Sequence, residues 1–335
     1  MNPTSPLPRI ALTLGDPAGV GPELAVKLLA KPETTRVAEV YVLADAAELE
    51  AAAQAAGVEI PLSDTPRPGF AVLLDDNSAP AEPIPAKQVS REAGARTLHQ
   101  LQRAMAMANA GEVEAILFTP LNKSSLKLGG MTEEDELRWF AKELSFEGTT
   151  SELNVLPGLW TARVTSHIPV SEVAARITAE NVRNAIRLLH SVLADSGLRE
   201  PRIAVCALNP HAGENGNFGR EEIDQIAPGI DEARTEGINA TGPFPSDTVF
   251  LAAKRGDFDG VVTMYHDQGQ IAMKLIGFDR GVTIQGGLPI VIATPAHGTA
   301  FDIVGKNIAT LGATEHAFEL AAAIGSRIRA AKVAV

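Results

Sequence analysis

The sequence predicts an α/β protein in which largely parallel sheets are covered by helices on both faces. Seven short apolar runs alternate along the chain with helical patterns, and their lack of polar alternation is typical of strands buried on both sides. A chain of 335 residues is long for one core and favours two domains. The runs are RIALTLG (9–15), VYVLAD (40–45), EAILFTP (114–120), TARVTSH (161–167), RIAVCALNP (202–210), DGVVTMYH (259–266) and PIVIATP (289–295).

Two long helical patterns lie between these runs. Residues 91–110 follow Ser90, a favourable helix cap, repeat apolar side chains at helical spacing and end at Gly111. Residues 181–195 repeat this scheme and end before Gly197. Because strand, helix and strand follow one another in this way, the sheet is expected to be mostly parallel.

Two stretches interrupt the alternation. Residues 61–88 contain six prolines and predict an extended connection with at most one short strand, FAVLL (70–74). Residues 123–150 are polar and charged, with a helix predicted in MTEEDELRWFAKEL (131–144). We expect the chain to cross between two domains near this second stretch.

The charge of the chain limits its partners. The formal net charge of −12 disfavours nucleic acids and anionic membranes, because the summed field would repel both. The segment MNPTSPLPRI does not have the pattern of a secretory signal, and no apolar run of about 20 residues is present. The single cysteine, Cys206, lies in an apolar run and is predicted to be a core residue. We therefore expect a cytoplasmic protein whose anionic small-molecule substrate meets a local positive charge.

Three of the seven histidines directly follow predicted strands: His167, His211 and His266. In an open parallel sheet the ligand crevice lies at the carboxyl ends of the strands, so three imidazoles there predict a catalytic metal site with an open position. The spacing matches no local zinc signature. The alternative is that each imidazole caps a strand or binds a loop carbonyl.

The loops around these histidines contain further candidates. LNPHAGENGNFGREE (208–222) has the composition of a loop with positive φ angles or a close approach to a ligand. Asp267 and Lys274 follow His266, and a lysine here could neutralise a substrate carboxylate or phosphate. Asp247 lies in a proline-bounded turn. The alternatives are a solvated lysine and an aspartate that only caps a helix or turn.

Two glycine-rich segments are candidate cofactor loops. GDPAGVGPE (15–23) follows the first strand, and its free N–H groups could face an anion, although it is not a dinucleotide fingerprint. HGTAFDIVGKNIA (297–309) follows the last strand, and its small residues allow close approach. Asp302 could accept both ribose hydroxyls of an adenosine, which would favour NAD over NADP.

These motifs together resemble the 4-hydroxythreonine-4-phosphate dehydrogenase (PdxA) family. GDPAGVGPE, LNPHAGENGNFG, GPFPSDTVF (242–250), MYHDQG (264–269) and HGTAFDI occur here in the order of that family, over nearly the whole chain. The resemblance implies two α/β/α domains of the isopropylmalate dehydrogenase-like class, with the active cleft between them. Residues 1–125 with 290–335 would form the first, cofactor-binding domain, and residues 126–289 the second, with the metal site and the dimer interface.

The resemblance also implies a homodimeric dehydrogenase that uses NAD, or NADP, and one divalent metal per site. The metal is most often zinc, with magnesium, cobalt or manganese as alternatives, and its ligands would be His167, His211 and His266, two from one subunit and one from the other. Asp247, Asp267 and Lys274 match acid/base or substrate-binding positions. The cofactor contacts would be Gly298, Thr299, Ala300, Asp302 and Asn307.

Three positions depart from the family pattern. Met131 replaces a histidine before Thr132, Thr283 replaces an asparagine, and Ile292 replaces an arginine. The candidate substrate contacts are Met131, Thr132, Thr283, Ile292 and Lys274. Charge-assisted bonds to phosphate are strong. Replacement of the family's histidine and arginine therefore favours an unphosphorylated substrate, unless Lys123, Arg138 or Arg280 supplies the charge.

The substrate and even the activity therefore have alternatives. One is 4-hydroxythreonine 4-phosphate, another a four-carbon sugar acid, and another an aromatic dicarboxylate cis-dihydrodiol that loses carbon dioxide after oxidation. A protein that binds metal and nucleotide without turnover is a different class of function. Acyl transfer to phosphate, which occurs on related folds, would need neither the histidines nor Asp302.

Overall fold

The computed structural model describes residues 6–333. The expectation about the N-terminal segment falls in part on residues 1–5, outside the described residues. The chain divides into two units, the first running up to Glu147 and again from Leu288, and the second comprising Gly148–Gly287. Among the described residues, no helix combines the length and apolarity needed to cross a bilayer.

All seven predicted strands are present, and FAVLL contains an eighth. The strands are β1 (Arg9–Thr13), β2 (Glu39–Leu43), β3 (Val72–Leu74), β4 (Ala115–Phe118), β5 (Ser151–Leu156), β6 (Leu159–Arg163), β7 (Ile203–Cys206), β8 (Ala240–Phe244), β9 (Gly260–Thr263), β10 (Val282–Gly286) and β11 (Val291–Pro295). Every residue of β4, β6, β7, β9 and β11 is buried, as expected for strands covered on both faces.

Helices follow most of the strands. They are α1 (Gly21–Leu29), α2 (Thr34–Val37), α3 (Ala46–Ala56), α4 (Arg91–Asn109), α5 (Lys123–Gly129), α6 (Glu136–Glu143), α7 (Val170–Arg176), α8 (Ala179–Ser196), α9 (Ala227–Thr235), α10 (Ser246–Lys254), α11 (His266–Gly277) and α12 (Gly312–Val333). Ser90 caps α4 by accepting a hydrogen bond from the Ala93 amide, and Gly197 ends α8 in the left-handed conformation, as the sequence predicts.

The sheet of the first unit contains five parallel strands in the order β3, β2, β1, β4, β11. Helix α4 packs on one face of this sheet, and α12 buries Ala317, Phe318 and Ala321 on the other. Helix α5 lies so close to α4 that a Cβ on Gly94 would be 1.7 Å from the Ser125 carbonyl oxygen. Only glycine allows this approach.

The boundary between the units differs from the expected one. Residues 126–147 belong to the first unit, because Trp139 and Phe140 of α6 pack with Leu101 and Met105 of α4 in one apolar cluster. The Phe140 ring lies 5.7 Å from that of Phe118. The crossing expected near the polar stretch 123–150 lies at its end, between Glu147 and Gly148.

The second unit contains a mixed sheet in the order β10, β5, β6, β9, β7, β8. Strand β5 is antiparallel to β10 and β6, whereas β6, β9, β7 and β8 are parallel. Arg163 at the end of β6 lies level with Thr263 of β9. The carboxyl ends of these strands therefore share one edge, and the loops after β6, β9 and β7 carry His167, His266 and His211. The α/β fold class is confirmed.

Candidate active site

His167 and His266 lie side by side in the second unit. Their ring centres are 5.8 Å apart, and both rings line a pocket of about 200 Å³ together with Asp267 and Val170. Two imidazoles that bind one zinc ion at roughly 2.0–2.1 Å in tetrahedral geometry have ring centres about 5 Å apart. The pair therefore fits a divalent ion after a small rotation of either ring.

The hydrogen bonding of His266 also suits a metal ligand. Its Nδ1 lies 2.7 Å from Oδ1 of Asp267. When Nδ1 carries the proton for this bond, Nε2 keeps its lone pair available for a metal, and the carboxylate fixes the ring orientation. His167 has a positive φ of 53°, a conformation that is uncommon outside glycine and occurs often at functional sites.

His211 lies in the loop after β7 and is exposed. Within one chain its ligand atoms do not meet those of His167 and His266, because among the described residues the only group of three close candidate ligands is formed by Asp45, Asp75 and Asp76. The structure thus brings two of the three predicted metal ligands together.

The acidic group in the first unit has other partners. Asp45 pairs with Arg96 at 2.9 Å, and Asp76 pairs with Arg103 at 3.2 Å and with His99 at 2.7 Å. Asp75 accepts hydrogen bonds from the backbone amides of Ala46 and Asn77. The group is therefore explained as a structural network of hydrogen bonds and ion pairs.

Asp267 and Lys274 lie on one exposed face of α11. Residues 267, 271, 274 and 275 follow the spacing of a single helix face, and all four are exposed. Ile271 is 60% exposed and Leu275 is 83% exposed. The face that carries the predicted catalytic groups therefore also carries large apolar side chains.

Asp247 of α10, like Asp267 of α11, lies on a helix face that also exposes a large apolar side chain. It lies in the first turn of this helix and is exposed, and Leu251, one turn later on the same face, is 61% exposed. Helices α10 and α11 contact each other in the second unit. Both helices thus expose large apolar side chains, and α11 begins at His266 of the histidine pocket.

The sequence did not indicate two buried charged residues that form hydrogen bonds to the loops carrying His167 and His211. Arg163 at the end of β6 donates to Ser166 Oγ at 2.9 Å and pairs with Glu152 at 2.6 Å, which holds the loop before His167. Glu222 is 3% exposed and accepts bonds from the loop before His211. A charged residue inside an otherwise apolar strand was the signal for Arg163.

The predicted cofactor residues lie between β11 and α12 in the first unit. The Thr299 carbonyl accepts a 3.0 Å hydrogen bond from the Val20 amide, which holds this loop at the start of α1. Asp302 is exposed, and no atom lies within 4 Å of the position of a Cβ on Gly298. Ala300 has a positive φ of 44°. The loop thus has an exposed carboxylate and open space next to its backbone.

Asn307, a predicted cofactor contact, has hydrogen-bond partners within the protein. Its Nδ2 donates to the Ala56 carbonyl at 3.0 Å, and its own carbonyl accepts a bond from Lys27 at 3.3 Å. The amide therefore fastens the loop to the end of α3, so a direct contact between this side chain and the cofactor is not supported.

The expectation of free N–H groups in GDPAGVGPE is wrong for four residues. The amides of Asp16, Ala18, Gly19 and Val20 all donate to protein oxygen atoms at 2.8–3.0 Å. Burial raises the pKa of the Asp16 carboxyl group, although a hydrogen bond from the Ala18 amide opposes this effect. This loop is a packed turn whose amides are already used.

Two of the predicted substrate contacts need correction. Met131 is 4% exposed and Ile292 is fully buried, and both belong to the apolar core cluster of the first unit. A ligand cannot reach side chains enclosed in this way. Thr132 is exposed and donates to Glu133 at 2.9 Å, and Thr283 is half-buried in β10.

The comparison with protein families decides the relationship. The model of the pyridoxal phosphate biosynthetic protein PdxA matches residues 36–321. The chain belongs to the PdxA family. This confirms the resemblance found in the sequence.

Two similar PdxA relatives have different names. The chain is 51% identical to "Putative 4-hydroxythreonine-4-phosphate dehydrogenase 2" of Pseudomonas aeruginosa, over 95% of this chain and 97% of that protein. It is 38% identical to D-threonate 4-phosphate dehydrogenase of Cupriavidus necator, over 90% of this chain and 93% of that protein.

Three solved structures of dehydrogenases are similar to this chain. 4-Hydroxythreonine-4-phosphate dehydrogenase of Klebsiella pneumoniae has a TM-score of 0.83 at 34% identity, covering 96% of this chain and 99% of that one. Terephthalate 1,2-cis-dihydrodiol dehydrogenase of Burkholderia xenovorans has a TM-score of 0.69 at 29% identity, covering 94% and 98%. A β-decarboxylating dehydrogenase of Thermococcus kodakarensis, at 16% identity, a TM-score of 0.50 and coverage of 97% and 87%, shares the fold.

Proposed function

We propose that this PdxA-family protein is an NAD-linked, divalent-metal-dependent dehydrogenase that oxidises a secondary hydroxyl of a small acid. The observation that carries the proposal is the pair His167 and His266, with ring centres 5.8 Å apart in a pocket and Asp267 fixing one ring. A bound divalent metal would act as a Lewis acid on the substrate hydroxyl, with zinc as the first choice for two imidazoles.

The third metal ligand in this proposal is His211 from the partner of a homodimer. Two arguments support it. In one chain His211 does not reach the other two histidines, and Leu251 of α10 and Ile271 and Leu275 of α11, the helix that begins with His266, are exposed. A partner subunit covering these faces would remove their apolar surface from water and could place its own His211 at the pocket.

The charged residues around the pocket have separate proposed roles. Asp267 orients His266, which their hydrogen bond supports, and it is not needed as the base. Asp247, exposed in the first turn of α10, is the proposed proton acceptor. Lys274, on the same helix face as Asp267, is the proposed partner for the acidic group of the substrate.

NAD is the proposed cofactor, and Gly298 to Asp302 are its proposed contacts. The open space at Gly298 allows a close approach, and the exposed Asp302 carboxylate suits two ribose hydroxyls. A 2′-phosphate would meet the same charge unfavourably, which is why NADP is the second choice. We place this activity in the cytoplasm, the compartment expected from the sequence.

The proposed substrate class is a four-carbon hydroxy acid with a 4-phosphate, which is the chemistry named for the two relatives. One observation favours a second class without a phosphate. Lys123 pairs with Glu136 and Arg138 with Glu134, so a substrate phosphate would compete with a carboxylate for each of these cations. An aromatic dicarboxylate cis-dihydrodiol, as in the relative of known structure, or an unphosphorylated sugar acid belongs to this second class.

The test is formation of NADH by zinc-loaded protein with each substrate in turn, before and after chelation. The panel contains 4-hydroxythreonine 4-phosphate, D-threonate 4-phosphate, D-threonate and the terephthalate dihydrodiol. Turnover that is lost with the metal supports the proposal and identifies the substrate class. NAD binding by calorimetry without any turnover would support a non-catalytic protein, and absence of both NAD binding and turnover would contradict the proposal.

A further inference from the structure

The loop that carries His211 has an uncommon backbone. Five consecutive residues, His211 to Asn215, have positive φ angles between 43° and 76°, and only one of the five is glycine. This conformation is unfavourable for L-residues and usually occurs at single positions. Surrounding contacts must therefore hold the loop in place.

Glu222 makes the contacts that can do this. Its Oε1 accepts hydrogen bonds from the backbone amides of Leu208 and Asn209, at 2.8 and 2.7 Å, and its Oε2 accepts one from Asn209 Nδ2 at 3.0 Å. The residue is only 3% exposed. A buried carboxylate with three donors fixes the two residues just before Pro210 and His211.

The carboxylate also touches the strained turn. A Cβ on Gly213 would lie 2.6 Å from Glu222 Oε2, so the turn passes directly over this group. Glu222 begins a π-helical turn, Glu222–Ile226, a type of irregularity that is frequent near functional sites. The neighbouring Glu221 accepts a hydrogen bond from Asn209 Nδ2 at 2.7 Å and lies beside Gly219, where an added Cβ would be 2.6 Å from its Oε2.

We propose that Glu222 is a positioning residue that holds His211 in the orientation needed to complete the metal site. The inference rests on the proposed function, in which His211 is a metal ligand. Glu222 acts through the backbone of residues 208–213 and touches neither substrate nor metal. Its loss leaves His211 present but poorly placed.

The test compares Glu222→Gln with Glu221→Gln in the full-length protein. The glutamine at 222 keeps the size of the side chain, but its amide group would face the Asn209 Nδ2 donor. We expect zinc affinity, measured by competition with a chromogenic chelator, to fall about 10- to 100-fold, as for other residues that orient metal ligands. Glu221→Gln should stay within about threefold of the wild-type protein, because the hydrogen bond that Glu221 accepts from the loop comes from the Asn209 side chain and not from the backbone.

A second measurement does not depend on zinc. In metal-free protein, hydrogen exchange of the amides of residues 208–217 should become about tenfold faster in Glu222→Gln and not in Glu221→Gln. Gly213→Ala, which forces a methyl group against the same carboxylate, should reproduce both effects if Glu222→Gln is too unstable to purify. Unchanged exchange and zinc affinity in a folded Glu222→Gln protein would overturn the inference. If the wild-type protein does not bind zinc but hydrogen exchange is faster in Glu222→Gln, the proposed metal site is wrong, and Glu222 still positions the loop that carries His211.

Discussion

The Nδ1 atom of His266 lies 2.7 Å from Oδ1 of its neighbour Asp267. In the proposed site this bond leaves Nε2 for the metal and prevents rotation of the ring. Asp267→Asn should therefore lower zinc affinity about 10- to 100-fold with little change in thermal stability. Chelator competition measures the affinity, and Asp279→Asn, an exposed aspartate of the same unit, is the control. Equal affinity in the two variants would contradict the assignment.

The exposed apolar face of α11 predicts a subunit interface. Leu275 is 83% exposed, so a charge at this position should not disturb the folded chain but should block association. We expect Leu275→Glu to be a monomer by analytical ultracentrifugation and to lose at least about 90% of turnover, because a buried unpaired charge costs several kcal/mol and the proposed site needs His211 of the partner subunit. Leu128→Glu, at a residue 51% exposed in the first unit, is the control and should remain dimeric. A dimeric Leu275→Glu protein would place the interface elsewhere.

Asp302 is predicted to select NAD. Removal of a carboxylate that accepts two ribose hydroxyls should raise the Kd for NAD about tenfold or more, equivalent to roughly 1.4 kcal/mol. Isothermal calorimetry with NAD and with NADP should show that Asp302→Ala also lowers the ratio of the Kd for NADP to the Kd for NAD. Asp64→Ala, at another exposed aspartate of the first unit, should bind as the wild-type protein does. An unchanged Kd for Asp302→Ala would move the cofactor site to another loop.

Asp76 should contribute to stability in a defined pH range. Its burial alone would raise its pKa, but hydrogen bonds from Ser78 and His99 and the charge of Arg103 lower the pKa to about 2 from a usual value of 3.8. A carboxyl group with a lowered folded-state pKa stabilises the protein above its unfolded-state pKa, and this contribution disappears as the pH falls toward the folded-state value.

The corresponding variant is Asp76→Asn. Its urea midpoint should lie below that of the wild-type protein at pH 6, and the difference should shrink between about pH 4 and pH 2, where the wild-type carboxylate loses its advantage. Asp64→Asn provides the matched exposed control. A difference that stays constant over this range would show that the hydrogen bonds of Asp76 do not depend on its charge.

Cys206 should be unreactive in the folded protein. It is fully buried in β7, and burial raises the pKa of its thiol to about 12, so almost no thiolate is present near pH 8. Ellman's reagent should detect no thiol in native protein and one per chain in guanidinium chloride, since this is the single cysteine. Rapid labelling of native protein would reveal opening of the second sheet.

A continuous apolar run can be recognised without knowledge of what packs against it, and five predicted strands, β4, β6, β7, β9 and β11, are indeed buried along their whole length. β5 has only three buried residues of six, and β8 contains Gly242 and Pro243, so neither has that pattern. Proline is compatible with β8 because this strand is at the edge of the second sheet. Local sequence therefore could not indicate these strands.

The candidate site shows the same limit. His167 and His266 could be predicted together because parallel strands end at a common edge. The burial of Met131 and Ile292 could not be predicted from the sequence, because it depends on how α6 packs against α4 and the first sheet. The role of Glu222 was hidden for a similar reason, since its partners Leu208 and Asn209 are 14 and 13 positions away along the chain.

The division of the first unit into two chain segments has a consequence for synthesis on the ribosome. The second unit, Gly148–Gly287, is continuous and has all its strands before the rest of the chain emerges. The first unit lacks β11 and α12 until the end, so the apolar side of β1 and β4 that α12 covers stays exposed meanwhile. Nascent chains usually fold from the N-terminus onward, but here the unit that emerges later can complete its sheet first, and the first unit keeps apolar surface exposed until α12 is made.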